Sequence, residues 1–271
     1  MVNRKAFWGW ALVGIFLLLG QMAWAEESEF RWDGNLSPGD TLSIKGVNGG
    51  VEAARAEGSQ ARVVAYKKGR RSDPDSVEIR VVEHAEGVTI CAVYPTASGD
   101  DPNQCLPFAR GRSSVRDNDV VVRFVVEVPS QTHFIGKTVN GKVEAIDLDG
   151  DVEATTVNGS IHISTTGLAE ASTVNGSIRA EMGAADWEGD LEFKTVNGSI
   201  TLGFPESLST GFKLESLNGG ISSDFEMTLT SRSGKRWGKK KMEGRIGQAK
   251  NGRELTLQTV NGDVELRRSR Q

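Results

Sequence analysis

Five segments decide how this chain is read: Thr138-Val139-Asn140-Gly141-Lys142-Val143, Thr156-Val157-Asn158-Gly159-Ser160-Ile161, Thr173-Val174-Asn175-Gly176-Ser177-Ile178, Thr195-Val196-Asn197-Gly198-Ser199-Ile200 and Thr259-Val260-Asn261-Gly262-Asp263-Val264. A looser copy, Ser216-Leu217-Asn218-Gly219-Gly220-Ile221, and an early one, Val47-Asn48-Gly49, bring the Val/Leu-Asn-Gly motif to seven occurrences. From Asn140 to Asn218 the steps are 18, 17, 22 and 21 residues, and the last step, to Asn261, is 43, about twice that period. Self-similarity at such spacing marks a repeat architecture, in which each unit buries its apolar face against its neighbours.

Each unit reads as strand, Asn-Gly turn, strand. Apolar residues alternate before the turn (Leu191, Phe193; Leu255, Leu257) and after it (Ile161, Ile163; Ile200, Leu202), the period of half-buried strands. Asn-Gly suits a turn requiring positive φ, so a series of simple hairpins is the first reading. The residue before Asn argues against it. In a two-residue hairpin Val157 would pair with Ser160 on the polar face, yet this position is aliphatic in all seven copies. A corner that bends the chain around a core would let both this Val and the following Ile point inward. The fold expected is therefore all-β: a single-domain β-solenoid, or β-helix-like roll, with repeats of about 17–22 residues. Stacked coils lie about 4.8 Å apart. Asn48, Asn140, Asn158, Asn175, Asn197, Asn218 and Asn261 are then expected to form a structural amide ladder along one corner; a ligand-binding row is the competing reading.

Composition agrees. Of 271 residues 32 are Gly, only 7% are aromatic and 7 are Pro, which favours short strands and tight turns and excludes collagen. The net charge of -4 and a pI near 5.6 argue against a protein whose whole surface binds nucleic acid. Arg4 and Lys5, the apolar run 6–20 and Ala23-Trp24-Ala25 predict a signal peptide over residues 1–25, with an uncleaved anchor as the alternative. Export to the periplasm or beyond is expected, with residues 26–271 forming one repeat-containing β domain. Its part 26–136 is less regular and 137–271 is the regular array. In an oxidising compartment Cys91 and Cys105 are expected to form a structural disulfide closing a loop of about 15 residues. The first copy of the repeat lies within 41–53, and strands are expected at 61–66, 77–82, 87–93 and 119–128.

The Thr-Val-Asn-Gly-x-Ile/Val units, Val126-Glu127-Val128-Pro129 leading into Thr138, and the terminal run from Leu255 to Val264 resemble a bacterial adhesin-type envelope domain family, a β-solenoid domain of unknown function. The resemblance covers nearly the whole mature chain and implies the fold. It brings no catalytic residues, and some relatives are associated with envelope stress. The cysteine loop and the basic stretch at 232–245 depart from its common pattern.

Arg232, Lys235, Arg236, Lys239, Lys240, Lys241 and Arg245 surround Trp237, with Glu243 the only acid. Cations around an aromatic suit anionic lipid headgroups or acidic glycans, at about 1 kcal/mol per basic residue near a charged membrane. The competing reading is a solvated turn that keeps a solenoid flank from aggregating. Asp147, Asp149, Asp151 and Glu153 alternate, but the arrangement lacks the loop length of a calcium site and reads as a degenerate repeat turn. His84, His133 and His162 are isolated, and no catalytic or metal motif is present, so no catalytic residue, metal or cofactor is expected. Polysaccharide-cleaving β-helices use scattered carboxylates, but the array offers few aromatics for sugar stacking. The function expected is an exported, non-catalytic, adhesin-like binding module with an envelope or surface ligand and no nucleic acid partner. The alternatives are a structural or envelope-stress scaffold and, behind it, a polysaccharide-active enzyme. No transmembrane helix is expected after the signal.

Overall fold

The computed structural model describes residues 27–96, 103–107, 115–234, 240–248 and 253–269. The segment read as a signal peptide lies outside them, as do Lys235, Arg236, Trp237 and Lys239 of the basic cluster.

The described chain is built almost wholly of short strands: β1 (Glu27–Asn35), β2 (Thr41–Lys45), β3 (Val51–Arg55), β4 (Gln60–Lys68), β5 (Glu78–His84), β6 (Gly87–Val93), β7 (Val121–Val128), β8 (His133–Lys137), β9 (Val143–Leu148), β10 (Val152–Thr155) and β11 (Ile161–Thr165). They continue with β12 (Ala169–Ser172), β13 (Ile178–Met182), β14 (Gly189–Lys194), β15 (Ile200–Phe204), β16 (Thr210–Ser216), β17 (Ile221–Ser223), β18 (Met227–Gly234), β19 (Lys240–Ile246), β20 (Arg253–Thr259) and β21 (Val264–Arg268). The sole helical element among the described residues is a single 3₁₀ turn, Pro74–Ser76.

These strands form two long sheets. One runs β1-β4-β7-β3-β9-β11-β13-β15-β21-β17 and the other β18-β19-β16-β20-β14-β12-β10-β8-β2-β6-β5. From β6 to β18 consecutive strands alternate between the sheets, and the Asn-Gly corner carries the chain across: β10 lies in the second sheet, residues 156–160 turn, and β11 lies in the first. Neighbours pair in parallel, as Ile161 with Ile178 and Ile178 with Ile200. The molecule is thus an all-β solenoid of flattened coils. The interior is a narrow stack of Val, Ile, Leu, Ala and Phe side chains; Ile161, Ile178, Ile200, Val264 and Leu257 are all essentially buried.

Chain order and stacking order differ at both ends. The coil β20/β21, last in the chain, lies between β14/β15 and β16/β17. Likewise β2/β3 lies between β6/β7 and β8/β9. Antiparallel strands close the stack: β5 on β6 and β4 with β1 on β7 at one end, the hairpin β18–β19 on β16 at the other. Capping of this kind protects the edges of a repeat array. The expected strands before the array are present. Strand β1 was not legible in the sequence: its faces alternate half-buried Phe30 and Trp32 with charged residues, but it belongs to no repeat.

The residue before each Asn overturns one expectation. Val157, Val174, Val196 and Leu217 point outward with 37–41% of their surface exposed, and only Val47 is buried. The inward residue is the one before it: Thr138, Thr156, Thr173, Thr195 and Thr259 are buried, and Ser216 takes the same place. Strand alternation explains this, because Val152, Ala154 and Thr156 share the inward phase and Val157 falls on the other. The solenoid therefore follows from the repeat spacing and not from an inward Val. Positive φ occurs at Gly49 and Gly262 only among the motif glycines, and the others have a different reason. A Cβ at Gly159 would lie 2.0 Å from the Gly141 carbonyl oxygen, and one at Gly176 would lie 2.0 Å from that of Gly159.

Candidate binding surface

The Asn-Gly corner carries three parallel rows. In the first, each Asn amide donates to the one below: Asn140 to Asn48 at 2.9 Å, Asn158 to Asn140 at 2.8 Å, Asn175 to Asn158 at 2.7 Å and Asn197 to Asn175 at 2.7 Å. The row continues with Asn261 donating to Asn197 at 2.7 Å and Asn218 to Asn261 at 2.8 Å. Each amide spends one N–H and one oxygen lone pair on its neighbours and keeps further capacity facing water. In the second, buried row the hydroxyl before each Val donates to a glycine carbonyl of the adjacent coil: Thr156 to Gly141 at 2.9 Å, Thr173 to Gly159 at 2.9 Å, Thr195 to Gly176 and Thr259 to Gly198 at 2.8 Å. This row was missed in the sequence, although the invariant Thr of the five strict copies is its signal. Tyr94 ends the stack at Asn48. Its phenol donates to the Val120 carbonyl at 2.8 Å and lies 3.3 Å from that of Asn48, and burial raises its pKa.

The third row is the aliphatic one, in stacking order Val139, Val157, Val174, Val196, Val260 and Leu217; Val157, Val174, Val196 and Leu217 are exposed, while Val139 and Val260 are half-buried. Beside it the outer face of the second sheet contributes Ser172, Lys194, Gln258 and Glu215. Between the two runs an open groove of about 490 Å³. A larger groove, about 930 Å³, follows the opposite turns. Its charges are largely matched locally, as Arg179 with Glu181 at 3.2 Å and Arg267 with Glu265 at 2.8 Å.

The other sequence candidates are dispersed. Cys91 and Cys105 are bonded, with Cα atoms 5.7 Å apart. The bond ties a strap over β6 and β2, where Asn103 is buried and donates to the Tyr94 carbonyl at 2.8 Å. Lys45 Nζ donates to the carbonyls of Leu106 and Pro107 in the same strap, and its pKa is lowered, by burial first and by Lys137 second. Of the basic cluster, Arg232, Lys240, Lys241 and Arg245 lie on the hairpin β18–β19. They are divided between its faces. Lys240, opposite Ser216, donates to the Gly219 carbonyl, whereas Lys241, opposite Glu215, pairs with Glu243 at 2.5 Å. Asp147, Asp149 and Asp151 each accept from the next coil, from Ser164 Oγ, Thr166 Oγ1 and the Leu168 N–H. They are the ladder of the opposite turn, and no cluster of potential metal ligands occurs among the described residues. Phe193, Phe204, Phe212, Phe225 and Trp187 are all buried and offer no ring to a sugar. No helix among the described residues is long and apolar enough to cross a membrane.

Residues 137–267 match the family described as Toastrack DUF4097. Among solved structures, a protein described as a putative cell adhesion protein from Clostridium sporogenes ATCC 15579 is 11% identical, with a TM-score of 0.42, covering 89% of this chain and 100% of that one. A putative adhesin from Bacteroides fragilis NCTC 9343 is 10% identical, with a TM-score of 0.35, covering 88% and 97%. No curated protein matches the chain.

Proposed function

We propose that the protein is an exported, non-catalytic binding module of adhesin type, made as residues 26–271 after removal of a signal peptide and acting in the periplasm or at the cell surface. The observation that carries this reading is the aliphatic row. Stacking a solenoid requires nothing aliphatic at an outward corner position, where Ser or Thr would serve as well. Yet Val157, Val174, Val196 and Leu217 stand there in line, 37–41% exposed, beside uncharged amides. Contiguous exposed apolar surface is the usual mark of a contact site. The ligand is an envelope or surface molecule whose apolar flank lies on this row and whose polar groups meet the spare amide capacity of the Asn ladder, a glycan or a lipid being the classes to test. The basic hairpin would add attraction for an anionic form of it.

The experiment is a titration of the purified protein against an array of envelope glycans and against vesicles with and without anionic lipid. Val174→Ser/Val196→Ser/Leu217→Ser is expected to lose the signal while keeping the wild-type circular dichroism. Binding unchanged in that variant would remove the corner as the site. Binding that instead disappears when Arg232, Lys235, Arg236, Lys239, Lys240, Lys241 and Arg245 become Ser would move it to the hairpin. The second reading, a structural or envelope-stress scaffold, is favoured by the ladders themselves, whose side chains bond one another. An envelope defect on deletion, with no ligand on either array, would select it.

A further inference from the structure

The first strands of three coils carry the same inward pattern. Counting back from their asparagines, Asn197, Asn261 and Asn218, the inward residues fall six, four and two positions earlier: Leu191, Phe193 and Thr195; Leu255, Leu257 and Thr259; Phe212, Leu214 and Ser216. All three carry the corner glycine that lets a neighbouring backbone approach, Gly198, Gly262 and Gly219. The hydroxyl contacts are alike as well: Thr259 donates to the Gly198 carbonyl at 2.8 Å and Ser216 to that of Gly262 at 2.8 Å. The coil nearest in sequence to β14/β15 is β16/β17, one ordinary repeat step away. The structure nevertheless places β20/β21 in that position and seats β16/β17 on top of it. Two first strands of one chain, β16 and β20, are therefore matched candidates for the place beside β14, although β17 is shorter and less buried than β21.

We infer that residues 253–268 form an exchangeable coil, and that the protein assembles with a second copy by donating this coil into the slot between β14/β15 and β16/β17 of its partner. The occupant is defined by an interface that already exists within the chain, so the exchanged coil makes the same contacts in the partner as in its own copy. When β20/β21 leaves, the slot between β14/β15 and β16/β17 stands open to the same coil of a second copy. Exchange of an identical element between copies is a low-cost route to assembly because the closed contacts are conserved. The free coil would meanwhile expose Leu255, Leu257, Val264 and Leu266, all buried in the closed form, which drives it into the next available slot.

The test mixes full-length Asn197→Cys with full-length Asn261→Cys. These positions are bridged partners across the slot, and adjacent parallel strands lie about 4.8 Å apart, within disulfide reach. The two are combined in mild denaturant, returned to buffer and oxidised. The expected result is a species of doubled mass on a non-reducing gel, with the 197–261 link found by peptide mapping and its yield rising with protein concentration. Asn158→Cys mixed with Asn261→Cys, positions that are not neighbours in the stack, measures random collision. A 197–261 yield no higher than this control would overturn the inference. Should either cysteine variant lose its sheet signal, Ser199→Cys mixed with Asp263→Cys carries the same test, since the Asp263 N–H meets Ser199 Oγ at 3.0 Å across the same slot.

Discussion

Thr173 and Val174 are neighbours that face opposite ways, and the polar one is inside. Thr173 is 3% exposed and bonded to the Gly159 carbonyl, while Val174 is 39% exposed. Thr173→Val should therefore destabilise by about 1–3 kcal/mol, because it leaves a buried carbonyl short of its donor. Val174→Thr should change stability by less than about 0.5 kcal/mol, as outward substitutions do. Urea unfolding of the pair checks both, and the order is the reverse of what hydrophobicity alone predicts. Gly159→Ala should be worse than either, since a Cβ 2.0 Å from the Gly141 oxygen forces the coils apart; a loss above about 2 kcal/mol is expected. Glu170 adds a pH effect. Burial first, and the charges of Glu153 and Glu192 next, raise its pKa above the ordinary glutamate value. A raised carboxylate favours the protonated form in the fold, so its contribution is most favourable below the unfolded pKa and is lost as pH rises through the folded one. Glu170→Gln should accordingly stabilise the protein at neutral pH and make no difference in acid, which thermal melts at the two pH values will read.

At the scale of elements, the strap held by Cys91 and Cys105 and the hairpin β18–β19 both depart from the repeat. The strap covers the outer face of the second sheet near β6 and β2, where Ser43 and Thr89 are buried although they lie on outward positions of their strands. A loop of this length is worth about 3 kcal/mol when closed by a disulfide, on the chain-entropy account. Replacing both cysteines by Ser should lower the unfolding free energy by that order, and reductant should reproduce the loss in the wild type. The strap was legible from two cysteines and an export segment. That Lys45 would be drawn into it was not, because the contact joins residues 61 positions apart in the chain.

For the whole molecule, the stacking order sets where the fold frays. If coils stacked in chain order, β20 and β21 would be terminal and exchange their amides fastest. In the structure β20 is paired on both sides, with β14 and β16, and β21 with β15 and β17. Hydrogen exchange followed by mass spectrometry should find 253–268 slower than the edge strand 227–234, since an edge strand opens at a cost well below global unfolding. Chain-order protection, with 253–268 fast and β18–β19 slow, would contradict the stacking order.

The sequence by itself determined the repeat, the corner asparagines, the alternation that fills the core and hence the solenoid, because each follows from local spacing and a fixed strand period. The tertiary structure decided three things. It put Thr inside and Val outside at the corner, because the strand phase runs one residue further into the turn than the motif reveals. It made Gly a matter of close approach between coils, a distance that no single repeat contains. And it placed the last coil inside the stack, because β16 and β20 carry the same inward pattern and only the path of the chain through space selects between them.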